Sequence, residues 1–231
     1  MSPLPPIDHL VWGGRSLDEE IERFEAMLGV RASPGGRHAG EGTHNALIRL
    51  GPAMYLELIA PDPEQPVPPT SRWFALDTLT TPRLVTWAAR ATDLERRVAQ
   101  ARRAGIALGD VRRGERLRPD GRSLAWRFTY PDTRTGDGLV PFLIDWGQSP
   151  HPAEGAAAGV ELTTLRAEHP DPADIGRMLR ELDIHLDVAS APAPALVATV
   201  AGPRGQVELT SSSASTRADG AIFQDDGSPG G

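Results

Sequence analysis

The sequence predicts an α+β fold made of repeated units, each with a strand, a helix and then two or three further strands. This order occurs three times along the 231 residues. The positions just after the three helices, Gly29, Gly105 and Asp183, are separated by 76 and 78 residues. Since a helix covers only one face of each small sheet, the other face must be covered by a second unit or left concave for a ligand.

The first unit spans residues 7–60. Its helix is predicted to begin after Ser16, because Ser16 and Glu19 have the spacing of a capping box. Gly29 is predicted to end it in a left-handed conformation. The apolar residues at helical spacing between these signals are Leu17, Ile21, Phe24 and Leu28. The predicted strands of this unit are 7–12, 44–50 and 53–59.

The second unit, residues 84–147, repeats these signals. Thr92 and Glu95 have the capping-box spacing, and Gly105 stands where the helix should end. The predicted strands are 84–89, 123–129 and 141–146. A proline-rich linker, 61–83, separates the first two units. We expect residues 61–69 to be extended, and residues 73–79 could form a short helix.

The third unit, residues 159–210, is predicted to have a helix capped by Asp171, with Pro172 at the first helical position. Its predicted strands are 160–165, 195–201 and 206–210. Residues 148–158 form a second linker. The tail, 211–231, is rich in Ser, Gly and Asp and too poor in apolar residues to fold alone, so we expect it to be mobile.

The composition excludes several function classes. Cysteine is absent, which excludes a catalytic thiolate, disulfides, iron–sulfur clusters and thiolate zinc sites. Lysine is also absent, which excludes Schiff-base chemistry and a P-loop lysine. A net charge of −7 predicts no nucleic-acid partner. Without an apolar run of membrane length or an export signal, we expect a cytoplasmic protein with no membrane partner.

Strand alternation singles out Glu57 as a candidate catalytic residue. In strand 53–59, Glu57 shares one face with Tyr55, while Met54, Leu56 and Leu58 lie on the face that suits a helix-covered core. A buried carboxylate needs a cation or hydrogen-bond donors, so Glu57 either serves a site or simply pairs with an arginine. His9 is the matching candidate on the first strand, although a lone strand histidine is also a common core residue.

Further candidates lie near these two residues along the chain. His38 and His44 belong to a glycine-rich segment from which either could reach a concave site as ligand or base, or remain solvated. Asn45 could orient a carbonyl group or cap a turn, and Tyr55 is a candidate for substrate contact.

The strands also carry tryptophans that could form a wall for a planar or apolar substrate. These are Trp12, Trp87, Trp126 and Trp146. Packing in the core is the alternative for all four. Arg127, next to Trp126, could bind a substrate carboxylate through two hydrogen bonds, or lie on the surface like most arginines.

Three stretches resemble the vicinal oxygen chelate superfamily, and its glyoxalase-like domain branch in particular. They are residues 7–11 with the following helix, residues 35–47 with 55–61, and residues 141–147. The resemblance implies that each unit is a βαβββ module, and that two modules pair into a cup-shaped mixed sheet with the helices on its outer face. It covers residues 7–210, nearly the whole chain.

The resemblance also implies a divalent metal in the cup, such as zinc, nickel, manganese or iron. A His or Glu from the first strand and a Glu from the last strand of each module would hold it. His9 and Glu57 match the first module, and Asp145 is the candidate on the last strand of the second module, where Thr86 or Trp87 replaces the other ligand. His44 is a further candidate ligand.

Three functions agree with these features. The first is a glyoxalase-like lyase, isomerase or dioxygenase that acts on a small oxygenated molecule, with Glu57 as ligand or base and His9 as ligand. The second is a binding protein of the antibiotic-resistance kind, without chemistry. The third is a structural or assembly module. For each we expect a homodimer, the commonest symmetric assembly.

Overall fold

The computed structural model describes residues 6–118, 120–131 and 134–212. The helices are α1 (Leu17–Leu28), α2 (Leu94–Arg103) and α3 (Pro172–Glu181). The strands are β1 (Ile7–Gly13), β2 (Ser33–His38), β3 (Thr43–Gly51), β4 (Met54–Pro61), β5 (Arg83–Arg90), β6 (Val111–Leu117), β7 (Ser123–Thr129), β8 (Phe142–Asp145), β9 (Glu161–His169), β10 (Asp187–Ser190), β11 (Ala195–Gly202) and β12 (Gly205–Thr210). Most of the tail that we expect to be mobile lies outside the described residues.

Strands β1 to β8 form a closed barrel in the order β1-β4-β3-β2-β6-β7-β8-β5. Its two halves, β1–β4 and β5–β8, therefore have the same strand order. The first strands of the halves pair antiparallel with each other, and each pairs parallel with the last strand of its own half. The two halves meet a second time between β2 and β6, where Arg37 pairs with Leu117. The predicted fold of paired βαβββ modules in a mixed sheet is confirmed.

The helix signals were correct for α1 and α3. The Ser16 hydroxyl accepts a hydrogen bond from the backbone N–H of Glu19, and Gly29, with φ of 78°, ends α1. Asp171 accepts one from the backbone N–H of Asp174 at the start of α3. The capping box predicted at Thr92 was wrong. Helix α2 follows Asp93, which has a left-handed φ of 53° and makes no capping hydrogen bond with its side chain.

Three strands were not predicted: β2, β6 and β10. In β2, Pro34 and two glycines interrupt any alternation of apolar side chains, and β6 is rich in arginine. Such sequences lack the signal of a half-buried strand, so their pairing depends on neighbours in the barrel. As a result His38 lies at the end of a strand rather than in a loop.

The third sheet, β10-β9-β11-β12, differs from the barrel halves in strand order. Its first strand, β9, lies in the middle, parallel to β10 and antiparallel to β11. The sheet packs against α1 through the turn before β12, where the Arg204 guanidinium donates to the carbonyl of Ala26 at 3.0 Å. The third unit therefore repeats the order of elements along the chain but not their arrangement in the sheet.

Two apolar regions lie on opposite faces of the barrel sheet. Leu56 and Leu58 belong to the large core under the helices, whereas Ile59 belongs to the barrel interior. This confirms the alternation predicted for β4, which places Glu57 in the interior. Among the described helices, none has both the length and the apolar character needed to cross a membrane.

Candidate functional site

A small cavity lies inside the barrel, on the face of the sheet away from the helices. The space open to the centre of a water-sized sphere is about 30 Å³, and the cavity is partly open to solvent. Its polar or titratable lining residues are His9, His38, Asn45, Tyr55, Glu57 and Arg116. Its aromatic lining residues include Trp73, Phe74, Trp126, Phe128, Phe142 and Trp146. Because most of these lining residues are buried, charges inside the cavity interact more strongly than they would in solution.

Glu57 lies at the centre of the polar side of this cavity and is 6% exposed. The Asn45 amide donates a hydrogen bond to Glu57 Oε1 at 2.5 Å. His9 Nε2 is 3.8 Å from Oε2 of Glu57, and His38 Nε2 is 4.0 Å from Oε1. Both distances are longer than a hydrogen bond, so neither imidazole is hydrogen-bonded to the carboxylate. The three side chains converge on one space from β1, β2 and β4.

Asp8 holds His9 in position. In a regular strand these neighbours would point to opposite faces, but the register of β1 against β5 shifts between Ile7 and His9. The imidazole Nδ1–H of His9 donates to Asp8 Oδ1 at 2.7 Å. When the ring is neutral its proton therefore lies on Nδ1, and the lone pair of Nε2 faces Glu57.

Asp8 is itself held by two residues that follow β8 in the chain. Its Oδ2 accepts from Trp146 Nε1 at 3.0 Å and from His151 Nε2 at 3.1 Å. Burial alone would raise the pKa of Asp8, but the hydrogen bonds from His151 and His9, together with their charge, lower it from 3.8 to about 2. Asp8 therefore remains a carboxylate at any physiological pH.

The lowered pKa of Asp8 makes a stability contribution that depends on pH. Because its pKa is lower in the folded than in the unfolded protein, this contribution is present above about pH 4 and is lost as the pH falls towards 2. Its size is about 2 kcal/mol. In urea unfolding between pH 5 and pH 2.5, Asp8→Asn is expected to lose less stability than the wild type. Equal losses in the two proteins would contradict this role.

His38 and Tyr55 are neutral members of the site. Burial lowers the pKa of His38 to about 4, although the charge of Glu57 acts in the opposite direction. Its Nδ1 lies 2.9 Å from the Thr43 hydroxyl. Burial raises the pKa of Tyr55 well above 10, so its hydroxyl stays protonated. The Tyr55 ring stacks on the His9 ring with centroids 4.6 Å apart.

Three residues with predicted site roles lie outside the cavity. Arg127 follows the inward-facing Trp126, so it points outwards and pairs with Glu95 of α2. Asp145 follows the inward-facing Ile144 and accepts a hydrogen bond from the backbone N–H of Gly147 instead. His44 precedes Asn45 on β3, so its side chain lies on the opposite face of the strand. Strand alternation separates each of them from Glu57.

The sequence analysis missed three other residues of the site, and it was correct for only two of the four tryptophans proposed for its wall. Asp8 and Arg116 contribute to the site, and His151, which had no predicted role, contacts Asp8. The adjacent pair Asp8-His9 was a signal that could have been used, but regular strand alternation places the two side chains on opposite faces. Of the four strand tryptophans, Trp126 and Trp146 line the cavity. Trp12 and Trp87 lie in the core under the helices, and Trp73 from the linker joins the wall.

The residues of this cavity do not fit a chelated divalent metal. His9 and Glu57 are close enough to share an ion, but the cavity-lining residues of the β5–β8 half include no His, Asp or Glu. Thr86 is paired with Val11, and the inward positions of β8 are Phe142 and Ile144. Within the described ranges, no three His, Cys, Asp or Glu side chains are arranged to hold a metal ion.

Comparison with known proteins gives one family and several similar folds. Residues 7–182 match the model of a family described as "Glyoxalase-like domain". A hypothetical protein from Staphylococcus aureus has a similar structure, with a TM-score of 0.63 at 13% identity over 83% of this chain and 88% of that chain. A methylmalonyl-CoA epimerase from Mycobacterium tuberculosis matches with a TM-score of 0.44 at 25% identity, over 62% of this chain and 90% of that chain. Among curated proteins, none matches the chain significantly.

Proposed function

This chain belongs to the glyoxalase-like domain family of the vicinal oxygen chelate superfamily, and within that family we propose that it is an isomerase. Its proposed substrate is a small α-hydroxy carbonyl compound, and its reaction is proton transfer at the carbon next to the carbonyl group. The observation that supports this is the pair of Glu57 Oε2 and His9 Nε2, 3.8 Å apart, both buried in a cavity with many aromatic lining residues.

Glu57 is the proposed base towards carbon. Its Oε1 is held by Asn45, which leaves Oε2 directed to the space shared with His9. Oε2 takes the proton of the carbon that bears the hydroxyl group, and the C–H electron pair forms a carbon–carbon double bond. The negative charge moves to the former carbonyl oxygen. Return of the proton to the neighbouring carbon completes an isomerisation. Exchange with solvent is seen when the proton on Glu57 is replaced by a solvent deuteron before delivery to either carbon.

His9 and Tyr55 are the proposed partners of the substrate oxygens. His9 Nε2 can carry the hydroxyl proton from one oxygen to the other, because Asp8 keeps the second proton on Nδ1. The neutral Tyr55 hydroxyl can donate a hydrogen bond to the oxygen that gains negative charge. The substrate thus regains as many protons as it loses, and no redox partner is needed.

Exchange of carbon-bound hydrogen with D₂O tests this proposal. Hydroxypyruvate, dihydroxyacetone and glycolaldehyde each carry a hydrogen next to a carbonyl group, and proton NMR follows its loss. We expect the full-length protein to accelerate exchange of at least one of them about 100-fold or more over buffer. If all three exchange at the buffer rate, the proposed isomerase is wrong.

A non-catalytic binding protein is the second candidate, favoured by the aromatic wall of the cavity. It predicts binding of the same compounds without exchange. The expected homodimer remains a prediction in either case. One chain supplies all eight strands of the barrel, so a second copy is not needed to complete this cavity.

A further inference from the structure

We propose, on the basis of this isomerase function, that the substrate carries a carboxylate group, and that Arg116 on β6 binds it. Arg116 is thus a substrate-specificity residue. Asn45 is proposed to accept a hydrogen bond from the substrate hydroxyl through Oδ1. The substrate class is then a small hydroxy-oxo carboxylate rather than a neutral sugar or a phosphorylated one.

Arg116 is a buried cation whose cost of burial is only partly offset by neighbouring groups. It is 5% exposed, and its Nη1 has no hydrogen-bond partner among the residues that the structure describes. Burial lowers the pKa of Arg116, and the nearby Tyr55 and Glu57 offset this only in part. Leaving a buried guanidinium N–H unpaired is costly, so a missing anionic partner is the simplest physical explanation.

Arg72 shows how this protein treats a buried arginine with a structural role. Arg72 is 9% exposed, yet its Nη1 donates to Asp77 at 2.5 Å and its Nε donates to the carbonyl of Gly42 at 2.9 Å. Arg116 has a similar burial but lines the cavity that contains Glu57. The contrast favours a ligand-binding role for Arg116 over a structural one.

Gly35 creates space for the proposed ligand contacts. A Cβ at this position would lie 2.2 Å from Asn45 Oδ1 and 2.9 Å from Arg116 Nη1, so any other residue would collide with both. Asn45 Oδ1 is also buried and has no hydrogen-bond partner in the described part of the chain. One donor and one acceptor, both unsatisfied, therefore border the same small space. A carboxylate with a nearby hydroxyl group can satisfy both.

The position and charge of Arg116 favour a single carboxylate. Arg116 lines both the inner cavity and an outer groove of about 420 Å³, so it borders both spaces. Asp8 and Glu57 already place negative charge near the cavity, and one guanidinium can balance a monoanion but not a phosphate dianion. The reacting carbon would then lie towards Glu57.

The experiment compares three probes that share a hydroxymethyl ketone and differ in charge: hydroxypyruvate, dihydroxyacetone and dihydroxyacetone phosphate. Binding to the full chain is measured by calorimetry, and exchange by NMR. We expect hydroxypyruvate to bind about 10- to 100-fold more tightly than dihydroxyacetone, and the phosphate not to share this gain. Equal affinity for hydroxypyruvate and dihydroxyacetone, or tightest binding of the phosphate, would overturn the proposal without any variant.

Arg116→Met is the test variant, and Arg113→Gln removes the same charge from an exposed position on the same strand. The first should abolish the preference for hydroxypyruvate, and the second should keep it. Thermal unfolding checks that Arg116→Met is folded, and Arg116→Lys, which keeps the charge without the planar fork, should lose part of the preference. If Arg116→Met keeps the full preference for hydroxypyruvate over dihydroxyacetone, the inference is wrong.

These outcomes separate the two proposals. Exchange of hydroxypyruvate and dihydroxyacetone at equal rates and with equal affinities would keep the isomerase and reject the role of Arg116. Binding of hydroxypyruvate that depends on Arg116, without exchange of any probe, would reject the isomerase and keep the carboxylate site.

Discussion

Replacing Glu57 with glutamine is expected to slow exchange of carbon-bound hydrogen by a factor of about 10² to 10⁴. The amide has nearly the same volume as the carboxylate and can still accept the hydrogen bond from Asn45 Nδ2, so the cavity should keep its shape. What the amide cannot do is take a proton from carbon at neutral pH. Binding of the probes should therefore survive while exchange is lost.

Glu115→Gln is the matched control for this variant. Glu115 is an exposed glutamate on β6, and its replacement changes the net charge by the same amount. We expect it to exchange substrate hydrogen at the wild-type rate. If Glu57→Gln, folded by circular dichroism, exchanges hydrogen as fast as Glu115→Gln, then Glu57 is not the base towards carbon.

Acidification from pH 6.5 to pH 4 is expected to cost the wild-type protein about 3 kcal/mol of unfolding free energy through His38 alone. Burial lowers the pKa of His38 from 6.5 to about 4 in the folded state. Between pH 6.5 and pH 4, His38 is therefore mostly protonated in the unfolded chain and mostly neutral in the folded chain. The contribution of His38 is nearly complete above pH 6.5, is lost as the pH falls from 6.5 to about 4, and changes little below that.

Urea unfolding at a series of pH values measures this effect. His38→Gln should lose less stability over this range than the wild type, by about 3 kcal/mol. His185→Gln, which replaces an exposed histidine, should follow the wild type. Burial lowers the pKa of His44 as well, so some pH dependence should remain in His38→Gln. Identical pH profiles for His38→Gln and the wild type would show that His38 titrates normally in the folded protein.

The fold was largely predictable because most strands and helices carry their own local signals. Ser16 and Asp171 cap their helices with short polar side chains, and β4 alternates between apolar and polar positions. Strand β6 carries no such signal, because its three arginines, one glycine and one glutamate reveal no buried face. Its place in the barrel is set by pairing with distant strands, which local sequence does not encode.

The site was predictable only where regular alternation holds. Glu57 and Tyr55 lie on the face that a period of two assigns to them, and His9 faces the same interior. Asp8 could not be placed, because a shift in strand register redirects its side chain. Arg116 could not be placed either, because its partners come from β2, β3 and β4 across the closure of the barrel. Side chains that meet only when the barrel closes produce no sequence pattern in either of the two segments that supply them.

The closure between β2 and β6 also bears on how a molecule reaches the cavity. One residue pair joins these strands, fewer than at any other boundary of the barrel, and the glycines beside it add little side-chain packing. Thermal breathing of the wall is least costly where the fewest backbone contacts must separate. Local opening of the barrel is therefore expected first between β2 and β6, next to Arg116, which lines both the outer groove and the inner cavity.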